Sequence, residues 1–227
     1  MNSRSARARS VLSVLAMAFS ALLIALTLNA TPARAGDDPA AEQFVTKLSL
    51  DAIKIISDKT NSKAQKEQGF YTLFTQNADV PKIAAFCLGQ YVRLPDDQQK
   101  QQYLKLFTDF VVKIYVTRLS GYTDQTITVT GSQLKGKNVL VMSQINFTDG
   151  RPPVKVTWWL LKKPDGYKIF DVNVVGVWLA QEQRASFASV ISNNRGQFQP
   201  LLDTLNKQIA DAEQGKLPPT EAAVPAN

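Results

Sequence analysis

Few residues in this sequence have side chains that suit catalysis or metal binding. The chain of 227 residues contains no histidine and a single cysteine, Cys87. Histidine is the most frequent general base and metal ligand in proteins, so Ser-His and Cys-His nucleophile pairs are excluded. Cys87 lies in the apolar run Ile83–Leu88, which predicts a small buried hydrophobe rather than a reactive thiol. An intramolecular disulfide is impossible.

The acidic residues supply no alternative catalytic centre. Asp96 and Asp97 follow Pro95 at the predicted start of a helix, where carboxylates interact favourably with free backbone amides. Asp171 lies in an otherwise apolar strand, and we predict a buried or semi-buried ion pair with Arg184 on the next helix. A lone Asp–Arg pair supplies no nucleophile or base partner, so its predicted role is structural. The sequence also lacks a glycine-rich phosphate loop, a CxxC pair and a metal-ligand cluster. We therefore expect no enzyme, no metal and no cofactor.

The amino-terminal segment, residues 1–35, has the pattern of an export signal. Arginines at positions 4, 7 and 9 precede the apolar run Val11–Leu28, and Ala33-Arg34-Ala35 matches an A-x-A cleavage site. The apolar run is near the lower length limit of a transmembrane helix, but its small residues and the adjacent cleavage site favour removal over anchoring. We expect an exported, soluble mature protein that begins at Gly36.

Removal of this segment changes the charge of the protein. The whole chain has a net charge of +7, but four of its 26 basic residues precede Gly36, which leaves 22 basic and 19 acidic residues and a charge of +3. This small excess argues against nucleic-acid binding. Lysines such as Lys135, Lys137, Lys162 and Lys163 either steer the protein toward partners and lipid headgroups or simply face solvent.

The mature sequence predicts one domain, residues 36–214, and a solvated tail rich in proline and alanine, residues 215–227. Asp37 and Asp38 are expected in a disordered amino terminus. Apolar residues at three- and four-residue spacing predict helices, the longest of which begins at Pro95 and ends before Gly121. The predicted helices span residues 40–57, 63–76, 80–89, 95–119, 179–192 and 198–214.

Between the fourth and fifth helices the apolar period changes from about 3.6 to 2, which is typical of strands. Turn signals at Asp149-Gly150 and Pro164-Asp165-Gly166 separate these strands. The predicted strands span residues 126–130, 139–147, 154–161 and 167–175. The expected fold class is α+β, with helices packed on one face of a curved four-stranded antiparallel sheet.

The predicted sheet has one apolar face, and the longest helix adds aromatic and aliphatic side chains along one side. Periodicity alone favours an ordinary filled core, although the same pattern also suits the wall of a hollow one. Both alternatives stay open at this level of argument.

Several segments of the second half resemble the MlaC-like family, which is also called the toluene-tolerance family. Gly166–Val177 is similar to the family's G-W-K-V-x-D-V-x-V-x-G-V stretch, and Gln183–Phe187 resembles its Y-R-x-x-F helix. Gly196 and Leu201–Leu205 match its closing G-x-x-x-L-I-x-x-L pattern. Weaker matches follow in the expected order between residues 83 and 122, so the resemblance covers most of residues 40–210.

This resemblance implies a soluble lipid carrier in a Gram-negative periplasm. Family members carry phospholipid between an outer-membrane lipoprotein complex and an inner-membrane ABC transporter with MCE domains, a system that maintains lipid asymmetry. For this chain it implies a monomer that binds a phospholipid, or a hopanoid if the chain falls in the hopanoid-associated HpnM branch. It also implies partners of those two membrane complexes and no enzymatic activity.

A lipid carrier needs an apolar cleft, because exposing about thirty acyl methylenes to water costs on the order of 24 kcal/mol at about 0.8 kcal/mol each. We therefore expect an apolar pocket between sheet and helices, with the headgroup near its mouth. The residues expected to line it are Phe107, Phe110, Val111, Ile114, Tyr115, Val141, Ile145, Val156, Trp158, Val172 and Val174. The alternatives are a periplasmic interaction module with a filled core and, as the least supported, a small hydrolase.

Overall fold

The computed structural model describes residues 36–121 and 124–217, so the predicted export signal and most of the tail lie outside the described residues. In chain order the helices and strands are α1 Pro39–Ser57, α2 Lys63–Asn77, α3 Val80–Leu88, α4 Asp97–Leu119, β1 Thr126–Lys135, β2 Asn138–Asn146, β3 Val154–Lys163, β4 Gly166–Val174, β5 Val177–Trp178, α5 Leu179–Asn193 and α6 Gln199–Glu213. A short 3₁₀ turn, Gly89–Tyr91, follows α3. None of the helices in these two ranges is long and apolar enough to cross a membrane.

Two of the helices begin at capping boxes. The Ser62 side chain accepts a hydrogen bond from the backbone N–H of Gln65, whose side chain accepts one from the Ser62 N–H, and α2 starts one residue later. Asp96 and Gln99 make the same reciprocal pair at the start of α4. The structural role predicted for Asp96 is therefore confirmed, although α4 begins at Asp97 rather than at Pro95.

The five strands form one antiparallel sheet in the order β1-β2-β3-β4-β5. Side chains that alternate along the strands, such as Val139, Val141, Val156 and Leu160, are buried on one face. The predicted α+β class with an antiparallel meander is confirmed. The prediction of four strands is wrong because it missed β5, whose two residues are too few to show a period of 2.

Two irregularities bend the sheet. The register of β1 against β2 shifts between Val129 and Gly131. The register of β3 against β4 shifts as well: Trp159 pairs with Asp171 and Leu160 pairs with Ile169, which leaves Phe170 without a cross-strand partner. Such bulges sharpen the local twist and change the direction of a side chain.

The buried apolar residues form four separate clusters instead of one. The largest joins α3, α4, α5 and α6 and includes the aromatic residues Tyr103, Phe107, Phe187 and Phe198. Smaller clusters join α1 to β2 and β3, the carboxyl end of β4 to β3, and Ile56 to α4. One large core with smaller satellite clusters is usual in a domain, and the partly buried Phe74, Trp158 and Ile169 each contact two of the clusters.

The amino terminus of the domain is ordered, which corrects the expectation of disorder at Asp38. The Asp38 N–H donates to Ser132 Oγ at 2.7 Å, and its carboxylate accepts a hydrogen bond from Tyr167 Oη at 2.7 Å and pairs with Lys162 Nζ at 2.8 Å. Burial alone would raise the pKa of Asp38, but the hydrogen bonds from Lys162, Tyr167 and the Ala41 N–H outweigh it and hold the pKa below its usual range. These contacts fasten the start of α1 to the sheet.

Candidate ligand-binding cavity

A cavity of about 310 Å³ lies between the helices and the inner face of the sheet. Its wall comes from the helices α1 to α4, the start of α5 and the strands β1 to β4, and nearly all of the atoms that line it are apolar. This volume is within the range of small-molecule pockets, about 300–1,000 Å³. The interior is therefore hollow, and the filled-core alternative does not describe this structure.

Helix α4 forms one side of the cavity. Phe107, Phe110, Val111, Tyr115 and Leu119 recur at three- and four-residue spacing and so share a face of the helix. The stretch from Phe107 to Leu119 corresponds to about 18 Å of helix at 1.5 Å per residue. One continuous apolar wall thus runs along roughly half of the longest helix.

The inner face of the sheet forms the opposite side. Ile127, Ile145, Val156 and Val172 each come from a different strand, and Trp158 lies beside Val172 across the β3–β4 pair. Trp158 Nε1 donates to Ser143 Oγ at 2.9 Å, so the polar atom of the indole is satisfied within the sheet. Only the apolar part of the Trp158 ring is left to face the cavity.

Nine of the eleven residues predicted to line the pocket do line this cavity: Phe107, Phe110, Val111, Tyr115, Ile145, Val156, Trp158, Val172 and Val174. The other two, Ile114 and Val141, are corrections. Ile114 is 3% exposed and packs in the cluster that joins α4 to α5 and α6. Val141 is on the inner face of the sheet but is covered completely, in the cluster with Ala41 and Val45 of α1.

The sequence reasoning missed the contribution of the first two helices. Leu48 and Ile56 of α1 and Phe70 and Phe74 of α2 line the cavity as well. The signal for α1 was its amphipathic pattern. That pattern shows an apolar face but not which part of it meets other side chains and which part meets empty space.

The predicted ion pair between Asp171 and Arg184 is wrong. Asp171 is 4% exposed, and its Oδ1 accepts the backbone N–H groups of Val172 and Ala180, each at 2.8 Å. Its Oδ2 has no hydrogen-bond partner within the described residues. Arg184 is exposed, with its guanidinium 5.1 Å from the centre of the Phe86 ring. Asp171 therefore joins strand to helix by capping the amino end of α5 rather than by an ion pair.

The electrostatic environment of the cavity disfavours charge. Burial raises the pKa of the Asp171 carboxyl, of the Cys87 thiol and of the Tyr115 phenol, and all three residues line the cavity. Each shift favours the neutral form of its group. Within residues 36–121 and 124–217, no cluster of His, Cys, Asp and Glu side chains is suited to hold a metal ion. The interior of the cavity therefore suits uncharged, apolar parts of a ligand.

Comparisons with known proteins agree with this geometry. The family model described as "MlaC protein" matches residues 46–207. The curated protein "Intermembrane phospholipid transport system binding protein MlaC" of Haemophilus influenzae is 21% identical over 165 residues, which cover 68% of this chain and 74% of that protein. A solved structure of the phospholipid-binding protein from Ralstonia solanacearum, in complex with a phospholipid, superposes with a TM-score of 0.67 at 24% identity and covers 76% of this chain and 98% of the other.

Proposed function

Because this chain belongs to the MlaC family, we propose that it binds a phospholipid in its cavity and carries it between two membranes. The H. influenzae relative is named as the binding protein of an intermembrane phospholipid transport system, and the R. solanacearum protein of similar fold binds a phospholipid. In this proposal the nine predicted residues on the cavity wall contact the acyl tails, together with the residues of α1 and α2.

The observation that carries this proposal is the apolar cavity itself. Its volume of about 310 Å³ is empty space inside the domain, and apolar side chains line it. An empty cavity of this kind costs stability, at about 24 cal/mol per Å³ in core-truncation series, unless something fills it. Hydrocarbon tails replace the missing side chains and are shielded from water at the same time.

The finer features of the proposal follow from the same reasoning. The protein acts in the periplasm after removal of residues 1–35, as a monomer without catalytic activity, and it exchanges lipid with an inner-membrane ABC transporter that has MCE domains and with an outer-membrane lipoprotein complex. Its ligand is a diacyl phospholipid, and a hopanoid is the alternative. A rigid polycyclic lipid would use the same wall of aromatic and β-branched side chains.

Lipid extraction tests this function directly. Protein purified from cells without detergent is analysed by native mass spectrometry and, after solvent extraction, by lipid mass spectrometry. We expect about one lipid per chain, and the headgroup and tail masses distinguish phospholipid from hopanoid. Protein that is folded and consistently free of lipid would overturn the proposal.

A substitution in the cavity wall tests its location. Val111 lines the cavity on α4, so Val111→Trp is expected to fill part of the space and to lower the lipid content severalfold without unfolding the protein. Val92→Trp is the matched control, because Val92 is 41% exposed and lies outside the cavity. Circular dichroism of both variants reports the fold. Normal lipid content in folded Val111→Trp would contradict the proposed binding site.

A further inference from the structure

Four aromatic rings form a continuous ladder from α3 to β5. The rings of Phe86 and Phe170 lie 5.2 Å apart, those of Phe170 and Trp159 5.5 Å, and those of Trp159 and Trp178 5.7 Å, with interplanar angles of 68°, 72° and 70°. These are edge-to-face contacts, which aromatic pairs prefer over parallel stacking. All four side chains are only partly buried, so the ladder forms part of the protein surface.

Three cations lie against this ladder. Lys135 Nζ is 4.8 Å from the centre of the Trp159 ring, the Arg184 guanidinium is 5.1 Å from that of Phe86, and Lys82 Nζ is 6.0 Å from that of Phe170. All three basic side chains are exposed, and none of them forms an ion pair with a carboxylate in the described part of the chain. We call these four rings and three cations the aromatic–basic patch.

The sheet geometry places this patch away from the main cavity wall. Trp158 lines the cavity, and because neighbouring side chains of a strand point to opposite faces, Trp159 lies on the outer face of the sheet. On that face Thr128 and Lys155 are exposed. Phe170, at the bulge, belongs to both surfaces, since it lines the cavity and also contacts Trp159. The patch therefore lies directly behind one part of the cavity wall.

The described domain as a whole carries a positive charge. Within the described residues there are 22 basic and 18 acidic side chains, a net charge of +4. The turn between β1 and β2 adds the exposed Lys137 beside Lys135. The nearby Asp79 is already paired with Lys163 at 2.8 Å. Exposed cations thus lie beside partly buried tryptophan rings, of which Trp159 has its Nε1 atom buried.

We propose that the aromatic–basic patch is a docking site for an anionic phospholipid bilayer. Tryptophan rings favour the interface between hydrocarbon and water, and lysine and arginine side chains interact with the phosphates of anionic lipids, each contributing on the order of 1 kcal/mol near the surface. Docking adds a membrane-bound step to the proposed carrier function and places the cavity wall at Phe170 against the bilayer. The occupant of the patch is thus the membrane surface, and the occupant of the cavity is a single lipid.

Vesicle flotation tests the docking site. The purified protein is mixed with vesicles of phosphatidylcholine alone or of phosphatidylcholine with phosphatidylglycerol. We expect binding to the anionic vesicles only, weakening as the ionic strength rises above about 0.15 M, where the Debye length is about 8 Å. The triple variant Lys82→Gln, Lys135→Gln, Arg184→Gln should bind these vesicles on the order of 100-fold more weakly, because three cation contacts are lost.

The matched control changes three exposed cations elsewhere, Lys54→Gln, Lys59→Gln and Arg195→Gln. It removes the same charge and should bind anionic vesicles almost as well as the unchanged protein. If both triple variants lost vesicle binding equally, net charge alone would explain the loss, and the proposal would be overturned. It would also be overturned if the unchanged protein did not bind vesicles at all.

The docking step and the carrier function fail in different ways. Val111→Trp blocks the cavity but leaves the patch intact, so it should lose bound lipid and keep vesicle binding. The patch variant should keep the lipid acquired in the cell and lose vesicle binding. If Val111→Trp abolished flotation together with lipid content, the vesicle signal would come from uptake into the cavity, and the docking site would be refuted.

Discussion

Replacing Asp171 with alanine should destabilise the fold by about 2–4 kcal/mol. The Asp171 carboxylate accepts two backbone N–H groups at 2.8 Å, and one of them belongs to Ala180, which is only 7% exposed to water as a substitute acceptor. An unsatisfied buried donor costs about 1–3 kcal/mol, and loss of a helix amino-terminal cap costs about 0.5–2 kcal/mol. Asp171→Asn keeps an acceptor oxygen of the same shape and should cost less than half as much.

The stability difference between the unchanged protein and Asp171→Asn should also depend on pH. Burial raises the pKa of Asp171 above its usual 3.8, so the native state binds the proton more tightly than the unfolded state does. The carboxyl group then contributes fully to the free energy of unfolding below pH 3.8, and this contribution is lost as the pH rises through the folded pKa. The free energy of unfolding of the unchanged protein should therefore exceed that of Asp171→Asn by less at neutral pH than at acid pH. The difference should shrink by about 1.4 kcal/mol for each unit of pKa shift.

Urea unfolding at a series of pH values, followed by the fluorescence of the three tryptophans, measures these differences. Arg184→Gln is the companion variant, and it should leave stability almost unchanged because no ion pair joins Arg184 to Asp171. An advantage over asparagine that grows with pH, together with a large loss in Arg184→Gln, would show a depressed pKa and an ion pair. The capping role itself would be refuted if Asp171→Ala were as stable as the unchanged protein.

Three further predictions concern other parts of the domain. Asp38→Asn should cost about 1 kcal/mol at neutral pH through loss of the pair with Lys162. Because the folded pKa of Asp38 is lowered, this cost should shrink as the pH falls below 3.8 and vanish once the pH is below the folded pKa, as urea titrations would show. Gly89→Ala should cost about 1–3 kcal/mol in the same assay, because Gly89 has a φ of 56°, a backbone conformation that L side chains rarely adopt. Cys87, 1% exposed and with its pKa raised by burial, should react with a charged disulfide reagent only at the rate of unfolding; fast labelling of native protein would contradict its burial.

The secondary structure could be predicted closely from the sequence because it depends on local patterns. Apolar spacing located the helices and four of the strands, and the residues at Pro95 to Asp97 marked the start of α4 to within two positions. The two-residue strand β5 could not be predicted in this way. It exists because Val175 and Gly176, with φ of 51° and 93°, reverse the chain and bring Val177 beside Val174.

The partners of individual side chains were harder to predict, because they depend on packing between distant elements. Asp38 and Tyr167 are 129 positions apart, and only the docking of α1 on the sheet brings them within hydrogen-bond distance. The Asp171 error has the same origin. Sequence order put Arg184 on the next helix, but the amino end of that helix, at Ala180, meets the carboxylate first.

The cavity marks the limit of pattern-based reasoning. Val141 and Val156 occupy equivalent positions on neighbouring strands, and no pattern distinguishes them, yet Val141 packs under α1 while Val156 faces empty space. The difference arises because α1 covers Val141 in the cluster with Ala41 and Val45, whereas no helix covers Val156 in that way. The four clusters lie around the cavity, and the centre of the folded domain is hollow.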